Sequence, residues 1–131
     1  MKTTSFEISK RLADIGFKAE TSFLWVENLF AGKNCIMHLQ AMNVHNNKES
    51  NEVAAYDLET ILEALPDSIH DKETSSFEEF LELDKHCACY NSIFVKFPEF
   101  SVDRKENESL ADTAARLLIL LREKGLIKFE E

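Results

Sequence analysis

The sequence has 131 residues, 44% of them hydrophobic, 30% charged and 10% aromatic, with a formal net charge of −9 at pH 7. A chain of that size and mixture can build one core of its own, which excludes a disordered, fibrous or disulfide-stapled molecule and predicts a single globular domain over 1–131. The negative sign excludes direct binding of DNA or RNA, which needs Lys and Arg facing the phosphates, and it argues equally against an anionic membrane surface. The longest uninterrupted apolar run, Leu117 to Leu121, is too short to cross a bilayer, and the N-terminus carries no signal-like stretch. A cytoplasmic protein is expected, with Cys35, Cys87 and Cys89 present as thiols. Ten Phe against one Trp and two Tyr predict an aromatic-rich interior, because Phe has no polar atom in need of a partner.

Taken in chain order, Thr4 and Glu7 fit a capping box, Ile8, Leu12 and Ile15 share one face, and Gly16 closes a first helix over 5–15. The apolar runs "TSFLWVENLF" and "CIMHLQAM", joined through "AGKN", read as a β-hairpin with Gly32 in the turn. The polar stretch "NVHNNKESNEVA" reads as an exposed loop. In "YDLETILEALP", Asp57 caps a short second helix, Tyr56 and Ile61 take hydrophobic-staple positions, Ile61, Leu62 and Leu65 form the buried stripe, and Pro66 ends it. "DSIHDKETSS" is expected to be a surface connection.

"FEEFLELDKHCACY" followed by "SIFVKFPEFSV" reads as a second strand pair. The spacing of Phe77, Phe80 and Leu81 also suits a helical face, in which case the strand starts near Leu83. Ser109 and Asp112 form a capping box ahead of a third helix. Leu110, Ala114, Leu117, Leu118 and Leu121 make its stripe, Arg122 and Lys124 complement its C-terminal dipole, and Gly125 stops it. The apolar band widens at "LLILL", which predicts cover on more than one side. Hairpins without βαβ alternation imply an α+β fold: an antiparallel sheet of two hairpins with about three helices packed against it.

The segments "ISKRLADIGF", "AYDLETILEALP" and "ESLADTAARLLILLREKGLI", in that order over most of the chain, resemble small proteins encoded by bacteriophages, prophages and other mobile elements of bacteria. The chain departs from that pattern in "SSFEEFLELDKHCACY", where the family has a shorter, more aromatic strand. The resemblance implies a bacterial or phage cytoplasmic origin. It attaches no activity to any residue.

Gly16, Gly32 and Gly125 are the only glycines, so the clustered glycines of a phosphate-cradling loop are absent, as are a nucleophile elbow and a paired-histidine zinc helix. The sharpest chemical cluster is "HCACY". Cys87 and Cys89, two apart on a strand, would share a face, and with Cys35 and His38 they could build a zinc site. Against that reading, Cys35 and His38 would point to opposite strand faces, no Cys-x-x-Cys pair is present, and buried cysteine is an ordinary small apolar residue. His86 and Cys87, adjacent on a strand, would project oppositely and could not pair as base and nucleophile. His45 and His70 lie in polar, loop-like sequence. No residue is therefore assigned a catalytic, cofactor-binding or metal-ligating role.

The charge is concentrated. From Glu49 to Asp84 there are twelve acidic side chains against Lys72 alone, a net −11, while the remainder carries +2. Such a region draws basic surfaces and raises association rates. Either these carboxylates solubilise the domain, or Glu63, Asp67, Glu73, Glu78, Glu79 and Glu82 form an acidic interaction face with Phe77 and Phe80 as aromatic anchors. Those two rings are core under the first reading. The functional expectation is a non-enzymatic protein-interaction module with a basic protein partner or a second copy of itself. The alternatives are an acidic inhibitor that imitates nucleic acid to block a basic host protein, and a small zinc- or thiol-dependent enzyme.

Overall fold

The short helix-starting residues set the first element, and they do so one position later than the Thr4/Glu7 box suggests. In the computed structural model, which describes residues 3–28, 33–38, 53–69, 78–92 and 100–129, Ser5 is the N-cap of α1 (Phe6–Asp14), and its hydroxyl accepts from the Ile8 N–H. Thr4 is fully buried instead. Its hydroxyl accepts from the Tyr56 N–H at 3.1 Å and shares a hydrogen bond with the Ser9 hydroxyl at 2.7 Å, while its carbonyl accepts from the Trp25 indole at 3.0 Å. Local capping therefore gave way to a tertiary network, because a buried hydroxyl must find partners wherever they lie. Gly16 closes α1 in the left-handed region, φ 89°. The Gly16 N–H returns to the Ala13 carbonyl and the Phe17 N–H to the Leu12 carbonyl, the Schellman pairing.

The first hairpin forms as the sequence predicts. β1 (Phe23–Asn28) and β2 (Lys33–His38) are antiparallel, with Trp25 opposite Ile36. The end of the presumed polar loop is a strand, β3 (Val53–Ala55), which pairs with the other edge of β1 and gives the order β2-β1-β3. Three residues of Val and Ala carry too short a pattern to read as a strand without the neighbour that accepts it. α2 (Leu58–Ala64) starts at Asp57, whose carboxylate accepts from the Thr60 N–H at 2.9 Å, and stops ahead of Pro66.

The expected single sheet is in fact two. Beyond α2, β4 (Ser68–Ile69), β5 (Glu79–Leu83), β6 (Cys87–Asn91) and β7 (Ser101–Asp103) form a second antiparallel sheet in that order. Ser68 and Ile69 thus belong to a strand where a surface connection was expected. The two segments expected to pair do so through β6 and β7, but the first of them also folds back on itself at residues 84–86, where Asp84 accepts from the His86 and Cys87 N–H groups at 2.7 and 2.9 Å. Glu79–Leu83 is strand, so the helical alternative fails there. Phe77, Gly32, His45, His70 and Glu73 lie outside the described residues.

α3 (Leu110–Glu123) packs against α1, α2, β6 and β7. Ala114, Ala115, Leu117, Leu118 and Leu121 are all fully enclosed, and burial reaches back to Ala111, further toward the N-terminus than the widened band implies. Each of the three leucines contributes roughly 1.5–3 kcal/mol by leaving water. Only half of the expected capping box forms. Ser109 accepts from the Asp112 N–H at 3.1 Å, but the Asp112 carboxylate accepts from the Ser5 N–H at 2.7 Å and so joins α3 to the start of α1. Gly125, φ 76°, ends α3 with the same Schellman pairing as Gly16. One apolar cluster runs through α1, α2, α3 and both sheets. Its largest fully buried rings are Tyr56 and Tyr90, with Phe17 edge-on to Tyr56 at 4.8 Å; among the described phenylalanines only Phe17 and Phe100 are buried. The Tyr90 hydroxyl is satisfied by the Pro66 carbonyl at 2.6 Å, which makes a tyrosine as admissible there as a phenylalanine.

Candidate functional site

The register of the second sheet decides which side chains look outward. Leu81 sits opposite Tyr90 and Leu83 opposite Ala88, and both partners are fully buried. Alternation along β5 then forces Glu79 inward, where it is 2% exposed, and Phe80 outward, where it is 54% exposed. At this one pair the positions of an acid and an aromatic ring are inverted relative to their hydrophobicity. Such local disagreement with an otherwise consistent pattern is the usual mark of a functional surface.

On the same face, Phe80 lies opposite Ser68 on β4 and Asn91 on β6, and Glu82 lies opposite Cys89. The Ser68 hydroxyl donates to Glu78 at 2.6 Å, which holds that carboxylate beside the strand. The Asn91 side-chain oxygen is buried and accepts no hydrogen bond from any described residue.

The acidic face proposed from sequence is thereby redrawn. Glu78 and Glu82 are exposed on either side of Phe80, and Asp67 is exposed at the start of β4, its carbonyl taking the Leu81 N–H. Glu63 is exposed but stands on α2. Glu79 is removed from the face, since the inward leucines of its strand carry it into the interior. Phe80 is outside rather than core. Asp84, fully exposed, is held below the usual carboxylate range by the His86 and Cys87 N–H groups and is an anion at neutral pH.

The cysteines offer little chemistry. Cys87 and Cys89 are free thiols sharing a strand face. Burial, then the neighbouring Cys87 and Glu82, pushes Cys89 up to about 11, and burial followed by Asp84 pushes Cys87 up as well. Both stay protonated at neutral pH, the opposite of an activated nucleophile. Cys35 and His38 fall in β2, paired with Val26 and Phe23. Among the described residues no three His, Cys, Asp or Glu side chains are placed to hold a metal ion.

One feature had no sequence signal. A cleft of about 550 Å³ opens between the first turns of α2 and α3, with Leu58 and Leu62 on one side and Leu110 and Ala111 on the other. Its lining also includes Asp57 and Glu59 from the start of α2 and Arg104 from the segment between β7 and α3. Each residue is unremarkable in its own stretch of sequence; only the packing of α2 on α3 assembles them.

Among the described residues the fold is an α+β arrangement of three helices and two antiparallel sheets, with Phe80 turned outward among carboxylates and a mixed-charge cleft between α2 and α3. No family model, curated protein or solved structure matches the chain. Among the described residues, no helix is long and apolar enough to cross a membrane.

Proposed function

We propose that the protein is a non-enzymatic interaction module that binds a basic protein partner through the outer face of β4, β5 and β6. The observation that carries this reading is Phe80, more than half exposed while Glu79 beside it is buried. An exposed ring on a rigid strand gives a partner a large apolar anchor at small entropic cost, and Glu78 and Glu82 on either side select a partner with Lys or Arg around the receiving pocket. The resemblance to phage-encoded proteins supports a bacterial cytoplasmic setting for this contact, in which Cys87 and Cys89 would be kept reduced.

The test uses the immobilised protein, a Phe80→Ser variant and a Glu78→Gln, Glu82→Gln variant, each exposed to bacterial lysate at low and at high salt. The expected result is a basic protein held by the native chain, lost by Phe80→Ser, and weakened both by the amides and by salt, with unchanged circular dichroism in all three. Equal retention by native protein and Phe80→Ser would overturn the reading. A captured nuclease or DNA-binding protein would narrow it to an inhibitor that imitates nucleic acid.

A second reading, self-association, rests on Ile36, which is 44% exposed on β2, the outer strand of its sheet among the described residues. An edge strand with an exposed apolar side chain is a template for another copy. Sedimentation would then show a dimer that Ile36→Lys dissociates, and a monomer at high concentration would dismiss it.

A further inference from the structure

We propose that the cleft between α2 and α3 binds a small zwitterion with an apolar side chain: a free apolar α-amino acid or a dipeptide of such residues. This is independent of the Phe80 face. The volume, about 550 Å³, lies within the range of sites that hold small molecules. Half of its lining is apolar, Leu58 and Leu62 from α2 and Leu110 and Ala111 from α3, and suits an aliphatic or aromatic side chain.

The lining carries both signs of charge. Arg104 is held in place by two carbonyls, its Nε donating to Glu108 at 2.7 Å and Nη1 to Lys85 at 3.2 Å. Nη2 has no partner among the described residues and remains for a ligand carboxylate. These two bonds restrain the long side chain in the free protein, which lowers the cost of binding. In the same lining Asp57 uses one oxygen to cap α2, and Glu59 is exposed with no partner among the described residues. Together they receive an ammonium group.

A simple anion would meet Arg104 but be repelled by two carboxylates, and a simple cation would meet the carboxylates but be repelled by Arg104. A molecule carrying both charges beside an apolar group satisfies the cation, the carboxylates and the apolar lining together. In a free amino acid the two charges share one carbon. In a dipeptide they stand about 6–7 Å apart.

The experiment is a titration of the full chain, labelled with nitrogen-15, followed by amide chemical shifts, with leucine, leucyl-leucine, N-acetyl-leucine, leucinamide and N-acetyl-leucinamide as separate probes. The expected result is saturable shifts centred on Leu58, Leu62, Arg104, Leu110 and Ala111 with leucine or leucyl-leucine, whichever fits the spacing, and binding weakened about tenfold or more when either charge is masked. Arg104→Gln should weaken the zwitterion and leave leucinamide little changed. Should that variant fail to fold, the five probes on the native chain decide the matter alone. Absence of saturable shifts with both zwitterions overturns the proposal, as does equal binding of the doubly masked N-acetyl-leucinamide, which would reduce the cleft to an apolar dimple.

Discussion

Asp112 donates its amide to the Ser109 hydroxyl and accepts the Ser5 N–H on its carboxylate, so one residue holds the first turn of α1 against the first turn of α3. Burial pushes its carboxyl above the usual range, and the Ser5 N–H only partly offsets that. A carboxyl whose pKa is raised by folding stabilises most below its ordinary value, and that contribution is lost as pH rises through the raised one. Glu108 runs the other way. Burial pushes it up, but Arg116, Thr113 and the Lys105 N–H together hold it below its ordinary range. The pair is two-pronged, Arg116 Nη2 and Nε reaching the two Glu108 oxygens at 2.6 and 2.9 Å. Its stabilisation is present at neutral pH and lost as pH falls through the lowered value. Urea midpoints measured across pH are expected to separate the two. Asp112→Asn, which keeps an oxygen for Ser5, should match or exceed the native chain at neutral pH and lose its advantage in acid. Glu108→Gln should be about 1–3 kcal/mol less stable at neutral pH, with the gap closing on the acid limb. Parallel pH profiles for all three proteins would refute both assignments.

At the scale of elements, helix ends were written locally and strand partners were not. Gly16 and Gly125 both adopt positive φ, and a side chain added at either would meet no heavy atom within 4 Å. Replacing either by Ala therefore tests backbone conformation alone, and thermal unfolding should show a loss of about 1 kcal/mol at each site. A neutral outcome would mean that the helix end had shifted its cap. β5 behaves differently, because its inward and outward sets depend on what lies opposite. Phe80→Ser should change stability by no more than about 0.5 kcal/mol, as befits an exposed position, whereas Leu81→Ala, opposite Tyr90, should cost about 2 kcal/mol or more. A large loss from Phe80→Ser would return that ring to the core and remove the proposed anchor.

For the whole molecule, a net charge of −9 in 131 residues acts against compaction, and dissolved salt screens that repulsion. The thermal midpoint is expected to rise between low and moderate salt, while the enclosed Glu108–Arg116 pair is screened far less than surface charges. A falling midpoint would show that attractive surface pairs outweigh the repulsion. The sequence by itself determined the α+β class, the three helices and the first hairpin, since capping residues act over three or four positions and amphipathic stripes show their period within a dozen. It also located the acidic stretch, which is a matter of counting. It did not determine that β3 and β4 exist or that the sheet divides in two, because strands of two or three residues are defined by the neighbours that accept their hydrogen bonds. Thr4 and Asp112 were read as local caps and proved to be tertiary links, a choice made by burial. The outward turn of Phe80, the inward turn of Glu79 and the cleft holding Arg104 were decided only in three dimensions. A strand's register is set by its partner, and a cleft between two helices belongs to neither one alone.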